Sequence, residues 1–177
     1  HNIPPPIAII GAGAWGSALA IHLARKGQEV RLWGYEREQI IEINATRINA
    51  RYLPEVIFPP NIHCSDDYQT VLSGVQDILI VVPSAVFHEN LVKLKPFLQS
   101  NKRLLWASKG LDTKKHQLLN EVVKEILGDK EMAVLSGPSF AKEVAMGLPT
   151  AINIASENYN FAHDLLLRFQ TKRFRVE

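Results

Sequence analysis

Short unbroken apolar runs alternate along the chain with stretches whose apolar positions fall three or four residues apart. Ile7 to Ile10 is such a run, suited to a strand buried on both faces. From Trp15 to Lys26 the pattern changes: Trp15, Leu19 and Leu23 stand four apart among Ala18, Ala20 and Ala24, which predicts a helix. Val30 to Trp33 reads as a second strand, and Glu36 to Asn49 as a helix with Ile40, Ile41, Ile43 and Ile48 as its apolar positions. Asn49 to Pro54 and the Pro59–Pro60 pair read as loop. Ile62 to Cys64 is a third strand, and Asp66 and Asp67 open a helix through Leu72.

The second half repeats the alternation. Asp77 to Val82 is the clearest buried strand, followed after Pro83 and Ser84 by a helix from about Ala85 to Leu98. Arg103 to Ala107 is a strand, Lys115 to Leu127 a helix closed by Gly128 and Asp129, and Met132 to Leu135 a strand. Ser139 suits the N-cap of a short helix through Ala145. Thr150 to Ala155 is a strand, Asn158 to Phe169 a helix with Phe161, Leu165, Leu166 and Phe169 on one side, and Phe174 to Val176 a last strand. Strands alternating with helices predict an α/β fold: a Rossmann-like, doubly wound, largely parallel sheet flanked by helices.

Gly11, Gly13 and Gly16 fall between the first strand and the first helix as G-x-G-x-x-G. Each has a physical task there. Gly11 takes the tight turn that ends the strand, Gly13 lets a pyrophosphate approach the backbone, and Gly16 lets the helix lie close to the strand. The free N–H groups at the helix start then point at phosphate oxygens. With Glu36 about 20 residues beyond Gly16, the unit reads as a dinucleotide-binding βαβ rather than a bare glycine turn. The cofactor choice stays open. Glu36 would accept bonds from a ribose 2′-OH and favour NAD, Arg37 would pair with a 2′-phosphate and favour NADP, and either Tyr35 or Arg37 could stack on adenine.

Ligands in open α/β sheets sit beyond the carboxyl ends of strands. Pro83, Ser84 and Phe87 stand there and either border the cofactor or form a simple turn with Ser84 as N-cap. Lys109, before Gly110, either reaches the same crevice or is an exposed structural lysine. Gly137 and Ser139 form a second phosphate-friendly turn or a capped turn and nothing more.

Composition narrows the rest. The 177 residues carry a formal net charge of +2, too small to argue for nucleic acid or a membrane surface. Lys172, Arg173 and Arg175 form the one basic cluster, read as a solvated edge. With Cys64 alone, neither an internal disulfide nor a multi-cysteine zinc site can form, and the five histidines past His1 lack metal-ligand spacing, so no metal is expected. No apolar run reaches the ~20 residues of a membrane span, and a cytoplasmic location is expected. Residues 1–6, with three consecutive prolines, read as a tag remnant or trimmed leader. Ser139 to Lys142 matches S-x-x-K, but the S-D-N and K-T-G partners of that acyl-transfer motif do not occur.

Several stretches together resemble the bacterial-type NAD(P)-dependent glycerol-3-phosphate dehydrogenases: GAGAWGSALA at Gly11 to Ala20, VRLWG at Val30 to Gly34, NARYLP at Asn49 to Pro54, ILIVVPSAVF at Ile78 to Phe87, WASKGL at Trp106 to Leu111, and LSGPSFAKEVAMGLPTA at Leu135 to Ala151. The resemblance implies an enzyme that interconverts sn-glycerol 3-phosphate and dihydroxyacetone phosphate with NAD or NADP and feeds glycerophospholipid synthesis. By motif, Gly11, Gly13, Ala14, Trp15 and Gly16 would hold the pyrophosphate, Tyr35 would lie near the adenosine, Phe87 along the cofactor, and Ala141 would contact it through its backbone. Lys109 would bind substrate and touch the cofactor, with Gly137 and Ser139 completing the substrate's surroundings. Ala14 stands where the family often has a small hydroxyl residue. The family's general acid/base is a lysine of an all-helical second domain, in a G-A-x-K-N type motif that this sequence lacks. Residues 7–177 are therefore expected to be the N-terminal NAD(P)-binding domain, with no catalytic residue of its own and a homodimeric whole protein. A non-catalytic NAD(P)-sensing module is the alternative.

Overall fold

A computed structural model describes residues 4–98, 101–109, 113–137 and 140–177. The central strand is β1 (Ile7–Ile10), all four residues buried. It pairs in parallel with β2 (Val30–Trp33) on one side and with β6 (Asp77–Ile80) on the other. Before β6 come the short pair β3 (Ile48–Asn49) and β4 (Leu53–Ile57), and β5 (Ile62–Ser65), which extends the sheet beyond β2. β7 (Arg103–Lys109) and β8 (Met132–Gly137) extend it beyond β6, again in parallel. The resulting order, β5-β2-β1-β6-β7-β8, is that of a dinucleotide-binding sheet, with its switch point between β1 and β6. β9 (Thr150–Ser156) then runs antiparallel to β8, and β10 (Phe174–Val176) parallel to β9, completing eight strands.

Helices cover both faces because alternate strand residues are apolar on both. Ile7 and Ile9 of β1 enter a core with α1 (Ala14–Arg25), α2 (Arg37–Thr46), α6 (Ala141–Ala145) and α7 (Tyr159–Phe169). Ala8 and Ile10 enter a second core with α3 (Tyr68–Leu72), α4 (Phe87–Leu94) and α5 (Thr113–Leu127). From Gly16 to Ala24, α1 is buried all round, and its run of small residues lets it take that central place.

The alternation of elements is as the sequence predicts, with four corrections. α2 stops at Thr46, since Arg47 is left-handed (φ 61°) and Ile48–Asn49 turns back to pair with Leu53–Ile57. The stretch read as loop thus contains a β-hairpin. The helix expected from Ala85 begins instead as a 3-10 turn at Ser84–Val86, continues as α4, and ends in a second 3-10 turn, Lys95–Phe97, around Pro96. Ser84 therefore caps nothing: the N-cap position of that turn is Pro83. Phe140, not Ser139, holds the N-cap position of α6, and Ser139 itself lies outside the described residues. On α7 the buried residue beside Leu165 and Phe169 is Arg168, with Leu166 only half buried.

Arg168 explains itself. Asp77, 2% exposed at the start of β6, accepts from Arg103 Nε at 2.7 Å and Nη2 at 3.1 Å and from Arg168 Nε at 2.9 Å. Arg168 also donates to Gln28 Oε1 and to the Pro5 carbonyl, both at 2.6 Å, and Arg103 to Asp164 at 2.8 Å. One carboxylate thus joins β6, β7 and α7. Replacing one partner of a buried ion cluster leaves the others uncompensated. Asp77→Asn should lower stability by about 3–5 kcal/mol, read as a fall in the urea midpoint at unchanged slope.

His22 of α1 is also buried; its Nε2 donates to the Phe169 carbonyl at 2.6 Å and its ring stacks on Phe174 at 4.0 Å. Burial pushes its pKa from 6.5 down to about 4. As pH falls the unfolded chain takes the proton first, so this contribution is complete above 6.5 and is lost toward 4. Denaturant titrations at the two ends of that window should differ by on the order of 2–3 kcal/mol more in the parent chain than in His22→Gln. Equal differences would show that another group governs the loss.

Candidate functional site

The glycine turn is shaped by lack of space. Gly11 has φ +126°, and a Cβ there would collide with the Val81 carbonyl after β6. A Cβ on Gly16 would collide with the Gly11 carbonyl. Both glycines are needed for α1 to begin close above the ends of β1 and β6. Gly13 differs: nothing lies within 4 Å of its notional Cβ, which would project into open space.

That space is a crevice of two joined cavities, of about 420 and 520 Å³, sharing Gly13, Val81, Val82 and Pro83. The first is walled by Ala14, Trp15, Gly16, Ser84 and Phe87 and floored by Trp106 and Gly137. The second runs past Trp33 and Tyr35 to Glu36, Tyr68, Asn90 and Lys93. α1 starts at Ala14 with Gly13 at its N-cap position and no side chain capping it, and no acidic residue lies in its first turn. The first N–H groups of α1 are left for an anion in the crevice.

A second layer fixes the turn's direction. Asn49, 1% exposed, donates to the Ala12 carbonyl and to Ser17 Oγ, both at 2.9 Å. Gln39 donates to the same carbonyl at 2.8 Å and to Asn49 Oδ1 at 3.2 Å. The carbonyl of Ala12 and the N–H of Gly13 share one trans peptide plane and point opposite ways. Pinning the carbonyl inward therefore aims the N–H outward.

At the second cavity Glu36 does not stand free: Arg51 Nη1 reaches its two oxygens at 2.9 and 3.2 Å. Across the cavity Glu89 pairs with Lys93 at 3.1 Å. Trp33 stacks on Tyr68 at 4.5 Å, and Tyr68, its pKa raised by burial, accepts from Asn90 Nδ2. Tyr35 projects into solvent at the mouth, 80% exposed.

Most of the residues expected from sequence come together here: Gly11, Gly13, Ala14, Trp15, Gly16, Tyr35, Phe87 and Gly137 all line the crevice, as do Pro83 and Ser84. Phe87 is nearly buried and meets Trp106 edge-on at 6.1 Å. β7 ends at Lys109 in register with Gly137. Ala141 lines neither cavity and packs against the core on α6. Asn49, Gln39, Tyr68 and Asn90 were not singled out by sequence reasoning. The signal for Asn49 lay in the NARYLP stretch, which reads as loop without the turn it supports.

A parallel sheet in this strand order, with a glycine turn opening a helix at its switch point, defines a dinucleotide-binding α/β domain. The family model of the NAD-dependent glycerol-3-phosphate dehydrogenase N-terminus matches residues 6–162, and the chain belongs to that family. A glycerol-3-phosphate dehydrogenase [NAD(P)+] of Coxiella burnetii is 52% identical over 97% of this chain and 51% of its own length. One of Escherichia coli is 49% identical over 96% of this chain and 51% of its own length. The 2.1 Å crystal structure of the Coxiella burnetii enzyme superposes with a TM-score of 0.91 at 51% identity, covering 98% of this chain and 53% of that one. The chain thus spans about half the length of the relatives it matches.

Asn49→Ala should weaken NADH binding about tenfold, since it frees the Ala12 carbonyl and leaves Ser17 without its donor. Equilibrium dialysis reads the affinity. Undiminished binding would show that the turn holds its direction through Gln39 alone.

Proposed function

We propose that this domain holds NAD or NADP for a cytoplasmic sn-glycerol-3-phosphate dehydrogenase, which interconverts glycerol 3-phosphate and dihydroxyacetone phosphate in glycerophospholipid synthesis. The observation that carries the reading is the open space over Gly13 beside the uncapped start of α1. A pyrophosphate seated there meets backbone N–H groups that need no reorganisation. Phe87 and Gly137 would hold the nicotinamide half of the cofactor, and Glu36 and Tyr35 would stand at its adenosine half. The bound nicotinamide supplies or accepts the hydride at the substrate carbon.

The chain's residues supply orientation and exclusion of water. Phe87 and Trp106 give the first cavity an apolar wall. The substrate sits over the end of β7 and β8, where Lys109 holds its phosphate and Gly137 and Ser139 complete the contact; the register of Lys109 with Gly137 supports this. Oxidation of a carbinol also needs a proton acceptor within hydrogen-bond reach. Among the described residues lining the first cavity no side chain titrates in the range a base requires. The resemblance to the glycerol-3-phosphate dehydrogenases assigns the general base to a lysine of a helical second domain of the whole protein, and makes that protein a homodimer.

The test is a fluorescence titration with NADH and NADPH, followed by addition of dihydroxyacetone phosphate. Trp15 and Trp33 both line the crevice and report occupancy. Binding of at least one cofactor without turnover is expected, and Gly13→Val should abolish it by filling the open space. Failure to bind either cofactor, or undiminished binding by Gly13→Val, would overturn the reading.

A further inference from the structure

At the opposite end of α1 from the glycine turn, about 18 Å along its 12 residues, lies a separate cavity of about 310 Å³. Arg25 at the end of α1, Lys26 at its C-cap position, and Lys172 and Arg173 ahead of β10 line it, and among the described residues no aspartate or glutamate does. Four cations in one cavity are a strong concentration in a chain whose net charge is +2.

Two of the four are held in place. Arg25 donates to the Ala145 carbonyl at the end of α6. Lys26 Nζ donates to the carbonyls of Leu167 and Gln170, each at 2.8 Å, at the end of α7. These carbonyls offer only the partial negative charge of a helix C-terminus, so among the described residues neither cation meets a carboxylate, and Lys26 keeps one of its three N–H donors. Thr171 adds a further donor. Its Oγ1 accepts from the N–H groups of Arg173 at 3.2 Å and Phe174 at 3.0 Å, which leaves its hydroxyl proton to give away. The opposite wall is apolar, formed by Val144, Leu148 and Phe174. Burial and the nearby Arg168 lower the pKa of Lys26, and His22 stays neutral beside it. Lys26 is thus partly shielded from water, while Arg25, Lys172 and Arg173 are exposed.

We propose that this cavity binds a phosphate ester, its phosphoryl oxygens among Arg25, Lys26, Arg173 and the Thr171 hydroxyl and its carbon part against Leu148 and Phe174. A guanidinium pairs with two phosphoryl oxygens at once, and the fixed ammonium supplies a point charge. The ester is either a soluble metabolite or the headgroup of an anionic phospholipid; both present the same chemistry.

The experiment is an amide NMR titration of the NADH-saturated chain with inorganic phosphate, which keeps the glycine turn out of reach. Shifts at Arg25 to Gly27 and Thr171 to Phe174 are expected, with about tenfold weaker binding in Lys172→Gln/Arg173→Gln and unchanged NADH affinity. Both replaced side chains are exposed, so folding is unaffected. Co-sedimentation with phosphatidylglycerol vesicles, and not with phosphatidylcholine vesicles, assigns the headgroup; phosphate shifts without co-sedimentation assign a soluble ester. No shift at these amides, or shifts that the double variant leaves unaltered, would overturn the proposal.

Discussion

The crevice depends on one close approach: the start of α1 lies against the turn after β1 with no room for a side chain at Gly11 or Gly16. That contact brings the helix's unpaired N–H groups to the switch point between β1 and β6. Backbone donors lose no rotamer freedom on binding. They cannot choose their own direction, however, and Asn49 and Gln39 choose it for them through the Ala12 carbonyl. The β3–β4 hairpin is thus part of the site: it carries Asn49 to a place that α2 alone, ending at Thr46, would not reach.

Sheet and glycine turn were legible because each rests on local pattern. Ile7–Ile10 and Asp77–Ile80 are apolar runs that only a doubly covered strand explains, and G-x-G-x-x-G between strand and helix has few other uses. The boundaries that slipped were decided at longer range. Ile48 continues the helical apolar pattern of α2, yet pairs with Ile57 once Arg47 turns left-handed. Ser84 and Ser139 are good cap residues by type, but the helices begin elsewhere because Pro83 and Phe140 take the cap positions. The reversal of β9 against β8 leaves no mark in a strand's own composition.

The supporting polar residues were hidden for the same reason. Asn49 meets Ala12 across 37 residues, and Gln39 meets it across 27. Arg168, seven residues after Phe161 and three after Leu165, stands on the apolar face of α7, and only its contact with Asp77 shows why a charge is buried there. Burial of a charge is legible when its partner is a helical turn away, not when it comes from another layer of the fold. Glu36 shows the converse: its position suggested a free ribose-binding carboxylate, and Arg51, in the hairpin turn, holds it in an ion pair.

The cluster around Asp77 also closes the chain on itself. Arg168 reaches Pro5 across 163 residues and Gln28 across 140. A ribosome that has released β1 to β8 has made the whole glycine turn but not α7, so Asp77 then has only one of its two guanidinium partners. The sheet face that Phe161, Leu165 and Phe169 will cover is still open, and β8 is still an unpaired edge. Such an intermediate invites pairing with other chains. The last quarter of the domain, far in sequence from the crevice, is therefore what commits the nascent chain to a single fold.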